Sequence, residues 1–304
     1  MISFDENRCN LCGICVPVCV RRILKLGENR VEVTDPGQCL ACGHCKAVCP
    51  VDAPQFGEGN EEFEPGPSKE EIPAPAPFFH FLRSRRSLRI YQGKPVEKNK
   101  LEMVINAGRY GPTGSNRQAC EYVAVSGRKT LDKVCSLAIQ NLQEQGKVMQ
   151  EVIDRHLRSK KPLPQKMISR QNLPAVWERI AKKWEEGGDQ LLHHAPGLVI
   201  IHMKKGMATT PEIDAAIAST QMILMAETLG LGTCYIGFLI RAIENSKKLK
   251  KMLGIPPDHK ALIALTIGYP AIQFLRLVYR NPAKTTWLGE FPEKNPAEER
   301  MENE

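Results

Sequence analysis

Long apolar runs are missing from this chain. No stretch approaches the roughly 18 apolar residues that a membrane-spanning helix requires, so no membrane association is expected. The start, MISFDENRC, lacks a basic n-region and an apolar h-region; no secretory leader is expected, and the chain reads as cytoplasmic. No G-x-G-x-x-G follows a strand-like segment, which argues against a built-in nicotinamide-binding Rossmann domain. The formal net charge is +8, but the basic residues are interleaved with acids and no helix-turn-helix, zinc-finger or RNP signature accompanies them. A cluster-based sensor binding nucleic acid would rest on that charge alone, and nucleic acid is not an expected partner. No compact acid–base constellation stands out either, so no catalytic side chain is assigned.

What the chain does have is a cysteine pattern written twice. Cys9, Cys12, Cys15 and Cys19 form C-x2-C-x2-C-x3-C, and Cys39, Cys42, Cys45 and Cys49 repeat it thirty positions later. A four-iron, four-sulfur cube needs one thiolate per iron. A C-x2-C-x2-C loop supplies three, and in two-cluster ferredoxins the fourth comes from the other repeat. The expected ligand sets are therefore Cys9, Cys12, Cys15 with Cys49, and Cys39, Cys42, Cys45 with Cys19. Gly13 and Gly43 follow the second cysteine of each loop, where a missing side chain would let backbone amides approach an anionic cluster. Structural zinc usually takes two separated C-x2-C pairs and would leave the middle cysteine of each triplet over. A disulfide framework belongs to exported proteins. His44, inside the second loop, reads as a variable loop residue. Cys120, Cys135 and Cys234 remain as buried free thiols.

This segment resembles the bacterial-type two-cluster ferredoxins, with Pro50 after Cys49 as in that family and Val20 after Cys19 as a departure. At 304 residues the length suggests about two domains. We expect a ferredoxin-like 2[4Fe-4S] domain at 1–60, a linker at 61–77 and a larger domain at 78–304. Arg30–Thr34 alternates and reads as a strand before the Asp35-Pro36-Gly37 turn. Pro65, Pro67, Pro73, Pro75 and Pro77 give the linker its semi-rigid character.

In the larger domain, Phe78 to Leu82 starts a helix. The stretch Arg83-Ser84-Arg85-Arg86-Ser87-Leu88-Arg89 suits either a phosphate, through planar paired guanidinium donors, or a solvated helix end. A helix is expected over 96–110. Gly111 to Gln118 then forms a tight loop, either an ordinary turn or one whose backbone amides and Asn116 face a ligand. Strands are expected over 121–126, 197–203 and 259–267, with a strand or extended segment over 233–238. Residues 129–190 read as helical, with Trp177 and Trp184 on one face as packing residues. Further helices are expected over 212–229 and 247–253. His193-His194 is a poor metal pair, because adjacent residues point to different sides. From 271 onward the chain reads as an extended arm with a disordered tail.

Several stretches together resemble the nitroreductase-like flavoproteins: R-R-S-x-R-x-Y at Arg85–Tyr91, G-P-T-G-x-N-x-Q at Gly111–Gln118, G-L-G-T-C-Y-I-G at Gly230–Gly237, I-G-Y-P at Ile267–Pro270 and R-N-P at Arg280–Pro282. The resemblance implies an α+β fold, with a central, mostly antiparallel sheet surrounded by helices, and a homodimer binding FMN at the subunit interface. It also implies roles. Arg85, Arg86, Ser87, Arg89 and Arg280 would meet the FMN phosphate and ribityl chain, with Arg276 a competitor for Arg280. Asn116 and Gln118 would hydrogen-bond the flavin ring, lined by Pro112, Thr113 and Gly114. Tyr235, Ile236 and Gly237 would pack on it, Ile236 replacing a glutamate found in other members. The expected protein is an oxidoreductase with two [4Fe-4S] clusters and FMN. A low-potential donor, a ferredoxin-like protein or NAD(P)H, would supply electrons for a small electron-poor acceptor such as a nitroaromatic, quinone or activated alkene. The alternative is an electron-transfer subunit serving a protein partner.

Overall fold

The computed structural model describes residues 2–57, 64–160 and 162–291. Two compact units result, Met1–Phe274 and one beginning at Leu275. The N-terminal module is built on the thirty-residue repeat. Its strands are β1 (Ser3–Phe4), β2 (Leu24–Leu26), β3 (Val31–Val33) and β4 (Pro54–Gln55), with one short helix, α1 (His44–Ala47). β1 pairs with β4 and β2 with β3, both antiparallel. The repeat extends to the backbone. Positive φ recurs at Leu11 and Ala41, Gly13 and Gly43, and Arg22 and Asp52, each pair thirty residues apart. The two glycines serve this conformation rather than clearance, since a Cβ on either would meet nothing within 4 Å. Ile2, Phe4, Ile23, Leu24, Val31 and Ala53 form a small core that also buries Cys15 and Cys45.

The rest of the first unit is a four-stranded antiparallel sheet between two helical layers. Its strands are β5 (Glu121–Ser126), β6 (Gly197–Lys204), β7 (Gly232–Tyr235) and β8 (His259–Gly268), in the order β5-β6-β8-β7. β6 is buried from Gly197 to Met203 because both faces are covered, and its residues alternate between two cores. Leu198 and Ile200 face α4 (Arg128–Arg158), α6 (Leu173–Glu185), α8 (Gly237–Glu244) and α9 (Lys247–Met252), α5 (Gln165–Ile168) being a single turn between α4 and α6 in sequence. Val199 and Ile201 face α3 (Lys98–Arg109) and α7 (Pro211–Thr228). The α+β architecture expected from the sequence is therefore present. Trp177 is fully buried against Phe238, edge to face, and Trp184 packs beside it.

Three boundaries differ from expectation. α2 (Pro75–Ser84) begins within the proline-rich stretch, because Pro75 and Pro77 fall in its first turn, where a missing N–H costs nothing. The segment over 233–238 stops being extended at Gly237, where α8 starts. The strands β1, β2 and β4 carry no readable alternation, being two or three residues long. Part of the expected linker (58–63) and the expected disordered tail (292–304) lie outside the described residues. The second unit has no helix or strand over its described residues, 275–291. Among the described residues no helix is long and apolar enough to cross a membrane.

The basic stretch is fixed to β7 by packing. Leu88 is 2% exposed, and Gly232 leaves the room it occupies: a Cβ there would lie 2.5 Å from Leu88 Cδ2. Gly232→Ala should therefore cost about 1–3 kcal/mol, the usual range for overpacking. Chemical denaturation with an unchanged m-value would show it; an unaltered midpoint would mean that Leu88 moves freely.

Candidate functional site

The eight repeat cysteines are gathered into two groups. Burial, together with the neighbouring charges of Cys49, Cys12 and Cys9, raises the Cys15 pKa, so Cys49 of the second repeat stands beside the first triplet. Cys19 lines one cavity with Cys39, Cys42 and Cys45. Burial, with Cys42, Cys15 and Cys39 nearby, pushes the Cys45 thiol up to about 11. Thiols held this way are poor anions alone, and the donor set suits soft, thiophilic iron. Backbone amides also point at the sulfurs: Ala41 N donates to Cys39 Sγ at 3.4 Å and Ala53 N to Cys49 Sγ at 3.3 Å. His44 Nδ1 lies 3.0 Å from Cys42 Sγ, so it is more than a filler of the loop. Of the three remaining cysteines, Cys135 and Cys234 are buried and Cys120 only partly so.

In the larger domain α7 carries the segments singled out by resemblance. Near its start, Asp214 Oδ1 accepts from Gly114 N at 3.1 Å, and Ala218 packs against Gly111 so closely that a Cβ there would meet its backbone at 3.2 Å. Midway, Ser219 Oγ and Tyr235 OH share a 2.8 Å hydrogen bond. Toward its end, half-buried Glu227 has its pKa raised by burial, opposed by the charge of Arg85. The Arg85–Tyr91 stretch is tied to the sheet. Ser87 bridges Thr233, Leu88 N donates to Thr233 O at 2.9 Å, and Tyr91 OH donates to Leu88 O at 2.9 Å and lies 2.9 Å from Thr266 Oγ1. Arg86, Leu88, Glu227 and Gly232 line a cleft here. Arg85 Nη1 and Thr233 Oγ1 are buried without hydrogen-bond partners among the described residues. A buried, unanswered guanidinium N–H beside an arginine-lined cleft fits an anionic group such as a phosphate. Arg89 is exposed.

The loop from Gly111 to Gln118 is not the open array of donors that its composition suggested. Gly114 N is committed to Asp214, Asn116 N to Thr113 O, Arg117 N to Gly114 O and Gln118 N to Thr113 Oγ1. A short 3-10 turn with positive φ at Ser115, Asn116 and Gln118 closes the loop on itself. Pro112 and Gln118 are exposed, and Thr113 is half-buried. Asn116 spends its side-chain amide elsewhere, donating to Leu40 O at 3.0 Å and Ala41 O at 2.9 Å in the second cysteine loop. Only its Oδ1 remains for another partner.

Ile236 is buried in the core, and its N–H donates to Ala264 O at 2.9 Å, so neither faces outward. Gly237 is exposed at the start of α8. Arg280, with Arg276, belongs to the second compact unit. His193 and His194 join no candidate metal group among the described residues. Asp189 accepts the backbone N–H groups of Leu191, Leu192 and His194 there.

Residues 82–269 match the nitroreductase family, and residues 8–53 match the 4Fe-4S dicluster domain. The first match spans more than half of the chain, which belongs to the nitroreductase family of FMN-dependent oxidoreductases and carries a 4Fe-4S dicluster domain ahead of it. A solved nitroreductase with bound FMN from Desulfitobacterium hafniense shares the fold, with a TM-score of 0.52 at 16% identity over 69% of this chain and 97% of that one. The Cr(VI) reductase of Pseudomonas sp. (strain G-1) is 24% identical over 62% of this chain and 65% of its own. The FMN reductase (NADPH) of Bacillus subtilis is 39% identical over 59 residues, 19% of this chain and 22% of its own.

The two groups of thiols make a sharp expectation. Cys49→Ser should lower iron from about eight to about four per chain and alter the same paramagnetic signal as Cys12→Ser. Cys19→Ser should instead match Cys42→Ser. If Cys49→Ser matched Cys42→Ser, each repeat would hold its own cluster.

Proposed function

We propose that this chain is an iron–sulfur flavoprotein oxidoreductase that takes electrons from a low-potential donor, passes them through two [4Fe-4S] clusters to FMN, and reduces a small electron-poor substrate such as a nitroaromatic, quinone or activated alkene. The observation that carries the reading is the pair of hydrogen bonds from Asn116 to Leu40 O and Ala41 O, which joins the loop assigned to the flavin to the loop assigned to a cluster. Bound FMN exchanges single electrons with clusters and two-electron equivalents with substrates.

The chain's own residues bind and orient. Cys9, Cys12, Cys15 and Cys49 hold one cluster, and Cys39, Cys42, Cys45 and Cys19 the other. Arg85, Arg86, Ser87 and Arg89 take the phosphate end. Gly237 offers its N–H to the ring edge, Tyr235 packs on the ring, and Pro112, Thr113, Gly114 and Gln118 line it. Gly114 donates to Asp214, and the charge of Arg85 acts on Glu227, 13 positions further on and about 20 Å along α7. That separation supports a composite site, in which the loop of one protomer lines the flavin cradle of the other in a homodimer. The exposed Leu275, Tyr279, Trp287 and Leu288 of the arm are consistent with cover by a second copy. With no acid–base side chain assigned, protons come from solvent.

The electron-transfer alternative shares the same entry port. Val20 is 71% exposed and Ile14 49%, and both lie within the first cysteine repeat. Exposed apolar residues there favour docking of a carrier protein over direct delivery by NAD(P)H. An anaerobic titration of the FMN-loaded protein separates the readings. A reduced ferredoxin-type carrier should bleach the cluster absorption before the flavin, and NADH or NADPH should bleach little. Flavin bleaching by NADH ahead of the clusters would reverse the proposed path, and failure to bind FMN on reconstitution would end it.

A further inference from the structure

Outside both cofactor regions, three potential ligands converge at one end of the sheet. Glu121 on β5, His202 on β6 and His259 on β8 each place one ligand atom within 4.8 Å of the others. The register explains how. Glu121 pairs with His202 across β5 and β6, so the two side chains share a face. Between β6 and β8 the ladder passes from Ile201↔Ile263 to His202↔Ala261, leaving Leu262 as an extra residue. Without that bulge Lys204 would pair with Lys260, and His259 would point to the opposite face. With it, Lys204 pairs with His259, which joins His202 and Glu121. A bulge that re-aims one histidine toward another is a specific arrangement that ordinary sheet packing does not need.

The local chemistry also points to an ion. His202 and His259 are 4% and 6% exposed, and their Nδ1 atoms lie 3.0 Å apart. His259 Nδ1 is 3.7 Å from Glu121 Oε1. Ligands of one tetrahedral zinc, bound at about 2.0–2.1 Å, stand about 3.3 Å from one another, so these separations bracket that value. On the far side of the ring, His259 Nε2 lies 3.9 Å from the exposed Asp258 Oδ1, too far for a direct hydrogen bond. Glu121 is exposed, so the open side of the group meets solvent.

We propose that His202, His259 and Glu121 form a binding site for one first-row divalent transition-metal ion, Zn2+ being the simplest occupant, with water completing the coordination. Two imidazoles and a carboxylate suit such ions. The site would clamp β5, β6 and β8 together and fix the start of β5, three residues after Gln118. It is distinct from the cysteine clusters and from every residue assigned to FMN.

The test uses holoprotein with clusters and FMN in place, freed of loosely held metal with a chelator and desalted anaerobically, then equilibrated with Zn2+. Zinc and iron are measured in the same sample by mass spectrometry. The expected result is one zinc per chain with iron unchanged. Glu121→Gln, at an exposed position, should weaken zinc affinity at least ten-fold, and His202→Asn or His259→Gln should abolish binding. If the buried histidine variants fail to fold, Glu121→Gln decides the matter. No bound zinc, zinc gained only as iron is lost, or equal binding by wild type and Glu121→Gln would overturn the proposal, leaving the histidines as a hydrogen-bonded pair.

Discussion

One side-chain amide joins the two halves of this protein. Asn116 gives both of its N–H groups to consecutive carbonyls, Leu40 O and Ala41 O, in the loop between Cys39 and Cys42. Ala41 has positive φ, as does Asn116, so both loops are locally constrained where they meet. Such bonds contribute about 0.5–1.5 kcal/mol each, and their greater consequence is positional. They hold the segment assigned to the flavin against the segment assigned to a cluster.

The same economy appears in α7, which supports the other segments. Asp214 secures Gly114, Ser219 meets Tyr235 OH, and Glu227 lies near Arg85. A single rigid helix therefore sets the spacing between the loop, the aromatic segment and the basic stretch. The polar groups left unanswered there, Arg85 Nη1 and Thr233 Oγ1, sit where an anionic ligand is expected. The N–H groups of Gly114, Asn116, Arg117 and Gln118 in the loop are answered internally.

Much of this was legible in the sequence, for identifiable reasons. Iron–sulfur chemistry needs thiolates at fixed intervals, so the double cysteine pattern announces itself. The helices and long strands follow from apolar periodicity, and β5 was readable to the residue. Other features depend on partners far away in sequence. Asn116 meets residues 75 and 76 positions distant. The N–H of Ile236 is spent on Ala264, which no local pattern reveals. His202 and His259 lie 57 positions apart on different strands, and the bulge at Ile201/His202 brings them to one face. The strands β1, β2 and β4 of the N-terminal module were too short to alternate, and Pro75 and Pro77, read as part of a spacer, instead open α2.

On the proposed path, electrons pass between the module and the flavin domain across the Asn116 contact. Asn116→Asp keeps the size of the side chain and removes both donors. In an anaerobic stopped-flow experiment with a reduced low-potential carrier, cluster and flavin bleaching are followed separately at equal cofactor loading. The expected result is unchanged cluster reduction and slowed flavin reduction, because two hydrogen bonds that position the loops are lost. Flavin reduction at the wild-type rate would contradict it.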